Sequence, residues 1–245
     1  MASENMHYEM CILPRAIHDA EKRSQLRDKL KMIRLKALQK DPEAFSRTYE
    51  EELKFSDEVW EKRMTNPLAV HFIAVERCSE TEYDKPAEDM SALLSGNWLG
   101  VLVLIGPMED GTVSFHASRS SAESLSSNRP TLSNAIDREH APIPVYELNG
   151  VFVVPEARGL GLGRKLVDAV TQFGISSAKS QGFRTIRMQV RVNTDNRPAR
   201  MLYRSGGYVE GKVETSVSKE NEKDGVKIPS KMRTCIVMER LEEFF

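Results

Sequence analysis

The stretch VPEARGLGLGRKLVDA, Val154 to Ala169, constrains this chain more than any other. An apolar run, VYELNGVFVV, leads into it. Gly159, Gly161 and Gly163 then alternate with leucine and arginine, and a helical pattern follows with Leu162, Leu166, Ala169, Val170 and Phe173 on one face. Strand, glycine turn, helix is the local plan of an anion site. The first amides of a helix have no partner within it, and the helix dipole favours negative charge there. Glycines let the backbone approach a phosphate closely, and Arg158, Arg164 and Lys165 stand ready with charge. A pyrophosphate suits such a turn.

Spacing decides between the groups that carry one. The glycines are evenly spaced, which departs from the GxGxxG of a dinucleotide site, and no GxxxxGK[ST] phosphate loop is present. A turn that merely packs is the remaining structural reading.

The flanking segments give the fold class. Leu26, Leu30, Ile33 and Ala37 fall at helical spacing until Asp41-Pro42 stops the run, and DEVWEKR (57–63) reads as a second helix. AVHFIAVE (69–76) and NWLGVLVLIG (97–106) read as strands, the latter apolar enough to be buried on both faces. Gly150 marks a possible bulge in the strand before the glycines. TIRMQVRV alternates Ile186, Met188, Val190 and Val192 with Arg187, Gln189 and Arg191. NRPARMLYRSGGY is a short helix, capped by Asn196, with Ala199, Leu202 and Tyr203 on one face, and RTCIVMERL is a closing strand. Residues 108–141 are serine-rich and 216–231 strongly charged; both read as insertions, the second within a C-terminal hairpin. The expectation is one domain over residues 1–245.

Bulk properties exclude several classes. A formal charge of −1 over 245 residues leaves no electrostatic footprint for nucleic acid. No apolar run is long enough to span a bilayer, and MASENMHYEM lacks the apolar core of a secretory signal. Cys11, Cys78 and Cys235 are far apart and odd in number, so they read as reduced thiols of an intracellular protein, cytoplasmic or nuclear. The five histidines are scattered, and no metal site is expected.

Two segments together carry a resemblance. VVPEARGLGLGRKLV resembles the coenzyme A-binding signature of the GCN5-related N-acetyltransferases, the GNAT family, through Arg158, Gly159, Gly161 and Gly163. NTDNRPARMLYRSGGYVEG resembles the family's NxxAxxLYxxxGF element through Asn196, Ala199, Leu202, Tyr203, Gly207 and Tyr208, with tyrosine replacing the final phenylalanine. RLKALQKDPEAFSRTYEEE is similar to the first helices of some members. The resemblance implies an α/β (α+β) fold: a mixed, mostly antiparallel sheet of six or seven strands with helices on both faces. It also implies acetyl-CoA as cosubstrate, no metal, and transfer of the acetyl group to a primary amine of a small molecule or peptide by direct attack in a ternary complex.

The implied site follows residue by residue. The strands ending near Val154 and Val192 should run parallel and then diverge, admitting pantetheine. Backbone of Phe152, Val153 and Val154 would hold the pantetheine arm, and Arg158, Gly159, Leu160, Gly161, Leu162, Gly163 and Arg164 the pyrophosphate. Asn196 would touch pantetheine, cap its helix, or do both. Tyr203 matches the tyrosine proposed to protonate the leaving thiolate, and otherwise packs. Glu147 matches a strand glutamate that acts as base in some relatives, with Asp195 as runner-up and a salt-bridged surface glutamate as the plain alternative. The acidic run TYEEELKFSDE (48–58) is either a solvated helix face or an acceptor wall that draws a cationic amine. A non-catalytic acyl-CoA-binding module, and a monomer or a homodimer, stay open at this point.

Overall fold

A computed structural model describes residues 8–76, 90–108, 143–217, 221–223, 226–228 and 232–244. The first strand, β1 (Tyr8–Ile12), is short and has no clear sequence signal. Helix α1 (Ala20–Lys40) begins at Asp19, whose carboxylate accepts the Glu21 and Lys22 amides, and it buries Leu26, Leu30, Ile33, Ala37 and Leu38. Asp41 ends it. The short α2 (Tyr49–Leu53) is closed by a reciprocal cap between Thr48 and Glu51, and α3 (Asp57–Met64) buries Trp60 and Met64. Strand β2 (Ala69–Glu76), α4 (Met90–Ser95) and β3 (Trp98–Met108) follow, and β3 is buried continuously from Leu99 to Leu102.

The remaining elements are β4 (Val145–Val153), α5 (Leu162–Ser180), β5 (Thr185–Asn193), α6 (Arg197–Ser205), β6 (Val209–Val217), β7 (Asn221–Lys223), β8 (Val226–Ile228) and β9 (Met232–Glu243). Seven strands form one sheet in the order β1-β2-β3-β4-β5-β9-β6, while β7 and β8 pair separately as a small hairpin. Every neighbour in the large sheet is antiparallel except β4 and β5, which are parallel. The serine-rich segment lies outside the described residues except for Met108, as do much of the charged segment and Cys78.

The sheet has two covered faces. Phe72 of β2 meets Phe173 of α5 edge-on at 5.5 Å, which places α5 over the face carrying Leu102, Leu104, Met188 and Val190. Besides the expected Leu162, Leu166 and Val170, α5 buries Val167, Thr171, Gly174 and Ala178. Gly174 sits so close to Met188 that a side chain there would press on it at 3.1 Å. Helix α1 packs on β3, α3 and α4 from the opposite side.

Two backbone features prepare the site. Between the Val103–Asn149 and Val101–Phe152 pairs, β4 uses one residue more than β3, and Gly150 there has φ +67°. The expected bulge is present, and the left-handed conformation explains the glycine. Second, β4 and β5 pair only from Val145–Arg187 to Leu148–Val190. Beyond that level both strands continue, to Val153 and Asn193, without pairing to each other. They diverge at their C-terminal ends, as expected.

Candidate active site

The gap begins above the Leu148–Val190 pair, and β4 delivers the glycine turn to its mouth. Val154 donates its N–H to the Leu99 carbonyl of β3 at 2.8 Å, and its own carbonyl accepts from Ala157 at 3.0 Å. Strand alternation turns Phe152 toward β3 as well, where it is in register with Val101. Of the three residues expected along pantetheine, Val153 alone turns its backbone into the gap; this corrects the expectation for Phe152 and Val154. The Val153 carbonyl already accepts from Arg158 Nε at 3.0 Å, which leaves its N–H as the donor on that side.

The turn itself is built for an anion. Gly159 and Gly161 have φ +81° and +76°, left-handed values that ordinary side chains resist, and a Cβ at either would meet open space. Gly161 is the N-cap of α5 and offers no side chain to cap it. The first bond inside the helix is Lys165 N–H to the Gly161 carbonyl at 3.1 Å, so the amides of Leu162, Gly163 and Arg164 have no acceptor within it. Gly163 differs from Gly159 and Gly161: its φ is not left-handed, and a Cβ there would make ordinary contact with Leu202 of α6 at 3.5 Å. Leu162 is buried beneath the turn and Leu160 is exposed beside it.

The three cations at the turn are partly committed. Arg158 reaches Asp41 at 2.5 Å as well as Val153. Arg164 holds Asp168 at 2.8 Å and donates to the Ser205 carbonyl, bracing α5 against the end of α6. Lys165 lies over the Tyr8 ring at 4.6 Å.

On α6, Asn196 caps its helix, its side-chain oxygen accepting from Ala199 N–H at 3.1 Å. Tyr203 is 2% exposed and meets Tyr208 edge-on at 5.7 Å. Burial pushes its phenol far up, so Tyr203 stays protonated through the neutral range. The same shift makes the phenol a weaker acid than a free tyrosine, and the ring packs in the core.

Glu147 faces the side of the sheet opposite α5, since its partner Ile105 alternates with Leu104. It is 6% exposed. Arg191 of β5 stands beside it at 3.1 Å and also contacts Glu214 of β6 at 3.0 Å. Burial pushes the Glu147 carboxyl up, with Glu214 adding to that and Arg191 opposing. The runner-up, Asp195, lies in the turn between β5 and α6 and gives its carbonyl to Arg197 N–H at 2.9 Å.

The acidic run is a solvated face at Glu50, Glu51, Asp57 and Glu58, which are exposed, and departs from that reading at Glu52. Glu52 is fully buried, held by Arg34 at 2.9 and 3.1 Å and by Arg63 at 2.8 Å. Those two guanidiniums overcome the cost of burial and hold its carboxyl below the ordinary range. Glu51 caps α2, and Asp57 pairs with Arg27 and Lys31. Glu52 alone of the run is buried between α1, α2 and α3.

Sequence reasoning missed Asp41, Arg191 and Glu214 as members of this region. Asp41 had signalled only a helix stop. Arg191 had stood out as the polar phase of an alternating strand, and Glu214 lies distant in sequence on another strand. The segment between α1 and α2 also crosses to this end of the sheet, where the Glu43 carbonyl accepts from Asn193 Nδ2 and the Phe45 carbonyl from Arg233. Among the described residues no cluster of side chains suits a metal ion, and no helix is long and apolar enough to cross a membrane.

Splayed parallel strands, a bulge in the first of them and a bare helix start beyond it define a class. The acetyltransferase (GNAT) domain family matches residues 131–210. No curated protein matches the sequence. Among solved structures, Arabidopsis thaliana NAA60 in complex with a bisubstrate analogue aligns with a TM-score of 0.50 at 13% identity, over 96% of this chain and 99% of that one. A GNAT-family acetyltransferase from Streptococcus pneumoniae aligns at 0.48 and 16% identity, over 95% and 99% of the two chains. A spermidine N-acetyltransferase SpeG chimera from Vibrio cholerae and hSSAT aligns at 0.46 and 16%, over 94% of each. The fold is the GNAT fold, and residues 131–210 are similar to its acetyltransferase domain.

Proposed function

We propose that the protein is an N-acetyltransferase that moves the acetyl group of acetyl-CoA onto a primary amine of a small molecule or peptide. The observation that carries this reading is the divergence of β4 and β5 directly below the unsatisfied amides at the start of α5. A gap for an extended thioester arm and a cradle for its pyrophosphate occur in one place.

Direct attack requires both substrates together. The amine nitrogen bonds to the acetyl carbon, the carbon–sulfur bond breaks, one proton leaves the nitrogen and one reaches the sulfur. The Val153 N–H faces the gap as a donor for the pantetheine arm or the acetyl oxygen, where charge develops. The amides of Leu162, Gly163 and Arg164, with the donors left on Arg158, take the pyrophosphate. Glu147 takes the amine proton; its raised carboxyl brings its basicity closer to neutral. Tyr203, kept protonated, gives its proton to the thiolate directly or through water.

Thiol release from acetyl-CoA, measured with spermidine, 2-phenylethylamine, lysine methyl ester and a short peptide with a free amino terminus, tests this reading. Release that depends on an amine supports it. Tight acetyl-CoA binding with no turnover on a widened amine panel would make the protein an acyl-CoA-binding module instead.

A further inference from the structure

Glu147, Gln189, Arg191 and Glu214 lie on one face of the sheet at the level where β4 and β5 part. Glu147 is in register with Gln189, and Arg191 follows two residues later on the same face of β5. Arg191 reaches sideways across β9 to Glu214, which is opposite Cys235 in the β6–β9 pairing. One guanidinium therefore serves two carboxylates from two strands. The side chains of Arg191, Glu147 and Glu214 are only 14%, 8% and 22% exposed, so their interactions are weakly screened. With Lys212, which pairs with Glu214 at 2.7 Å, the formal charges of this group cancel.

The contact geometry is unequal. Arg191 Nε makes a hydrogen bond to Glu214 Oε2 at 3.0 Å. Its Nη1 stands 3.1 Å from Glu147 Oε2 without the alignment of a full hydrogen bond, so that oxygen keeps capacity to accept a proton. Gln189 is 5% exposed, and its Nε2 has no hydrogen-bond partner among the described residues. A buried donor of this kind calls for a partner oxygen. The charged groups facing Glu147 are Arg191 and Glu214; Lys212 of β6 pairs with the other oxygen of Glu214 at 2.7 Å.

We propose that Arg191 is a positioning residue for proton removal from the acceptor amine: shared between Glu147 and Glu214, it holds the Glu147 carboxylate ionised at the mouth of the β4–β5 gap and sets the pH at which that group works. This rests on the acetyltransferase reading. The amine gives its proton to Glu147 Oε2 as its nitrogen bonds to the acetyl carbon, and the proton passes to solvent after release. Without a cation beside it, buried Glu147 would be protonated over a wider pH range and could not act. Glu214 moderates the effect by claiming the better-aligned half of the guanidinium, so the two acidic partners act on Glu147 with opposite signs.

The test is a pair of variants with opposite expected signs. The Glu147 carboxyl is titrated by NMR in protein carrying 13C-labelled glutamate, its signal assigned by its loss in Glu147→Gln. In Arg191→Gln the midpoint should rise, because an opposite charge is gone; in Glu214→Gln it should fall, because a like charge is gone and Arg191 turns to Glu147. The acid limb of kcat/KM, with the most active amine of the panel, should move with each midpoint. At neutral pH, Arg191→Gln should lose roughly ten- to a hundredfold in kcat/KM, at or just below the lower end of what one acid–base group supplies. Arg191→Lys keeps the charge and should recover part of the loss; if Arg191→Gln fails to fold, the fall of the midpoint in Glu214→Gln carries the test. Wild-type turnover with midpoints that stay fixed, or move the same way in both variants, overturns the role of Arg191 alone. Midpoints that move as expected while the rate profile stays in place also overturn it. Absence of turnover on every amine sinks the acetyltransferase reading, and this proposal with it.

Discussion

Arg158 and Asp41 stand 2.5 Å apart, joining the end of α1 to the turn that precedes α5. The same arginine holds the Val153 carbonyl at 3.0 Å. A residue whose sequence position matches the pyrophosphate signature thus also ties the segment after α1 to β4. Both side chains are partly exposed, so the pair contributes roughly 0–1 kcal/mol. If the pyrophosphate competes with Asp41 for Arg158, Asp41→Asn should tighten acetyl-CoA binding by up to about fivefold, within that same energy. Calorimetry reads the difference. A weakened affinity would mean that Asp41 aims Arg158 at the phosphates.

The glycine turn can be separated from backbone strain by a matched control. Gly161 and Gly182 have φ +76° and +82°, and a Cβ at either meets nothing within 4 Å. Alanine at each should cost roughly 1–2 kcal/mol through the left-handed backbone, or about 2–8 °C in Tm for a domain of this size. Acetyl-CoA affinity should fall in Gly161→Ala alone, since Gly182 lies beyond the far end of α5. Equal affinities in the two variants would reduce the turn to a structural feature.

Tyr203→Phe keeps the ring against Tyr208 and removes only the hydroxyl. Acetyl-CoA affinity should change little while kcat falls roughly ten- to a thousandfold, because the proton moves only as the thiolate departs. Burial keeps the phenol protonated, so no loss of activity near neutrality should trace to its ionisation. Wild-type kcat in this variant, with product release shown not to limit the rate, would leave Tyr203 a packing residue.

Two buried groups predict how stability depends on acid, in separate pH windows. His71 is buried and its pKa is lowered from 6.5 to about 4, by burial first and then by Arg15 and Arg63. The unfolded chain takes up a proton near pH 6.5 that the folded chain refuses until about pH 4, so stability declines as pH falls through that interval. Glu52 is also depressed, held down by Arg34 and Arg63 against the cost of burial; its contribution is present above its ordinary value of 4.5 and lost only as pH falls below that. His71→Gln should flatten the Tm curve between pH 6.5 and 4, and Glu52→Gln only its lower end. Glu52→Gln should also lower Tm at neutral pH, since it leaves two half-buried guanidiniums short of their counter-charge. A Tm that declines between pH 6.5 and 4 as steeply in His71→Gln as in the wild type would reject the assignment.

Local chemistry made the central elements legible in the sequence. The period of α1 and its stop at Asp41, the alternation of β5, the cap at Asn196, the bulge at Gly150 and the left-handed glycines before α5 are all fixed by residues within a few positions of one another. The strand, turn and helix of the cofactor cradle belong to that class, because the amides that make it are consecutive. What the tertiary structure decided is which distant groups meet. Glu147, Arg191 and Glu214 come from three strands, and Asp41 joins Arg158 across 117 positions of sequence. Burial of Glu52 sets it apart from the exposed carboxylates of the same acidic run, since a surface pattern says nothing of two arginines brought in from α1 and α3. The physical reason is range: backbone conformation is set by neighbours in the chain, whereas charge pairing, desolvation and the separation of β4 from β5 exist only once the sheet has closed around them.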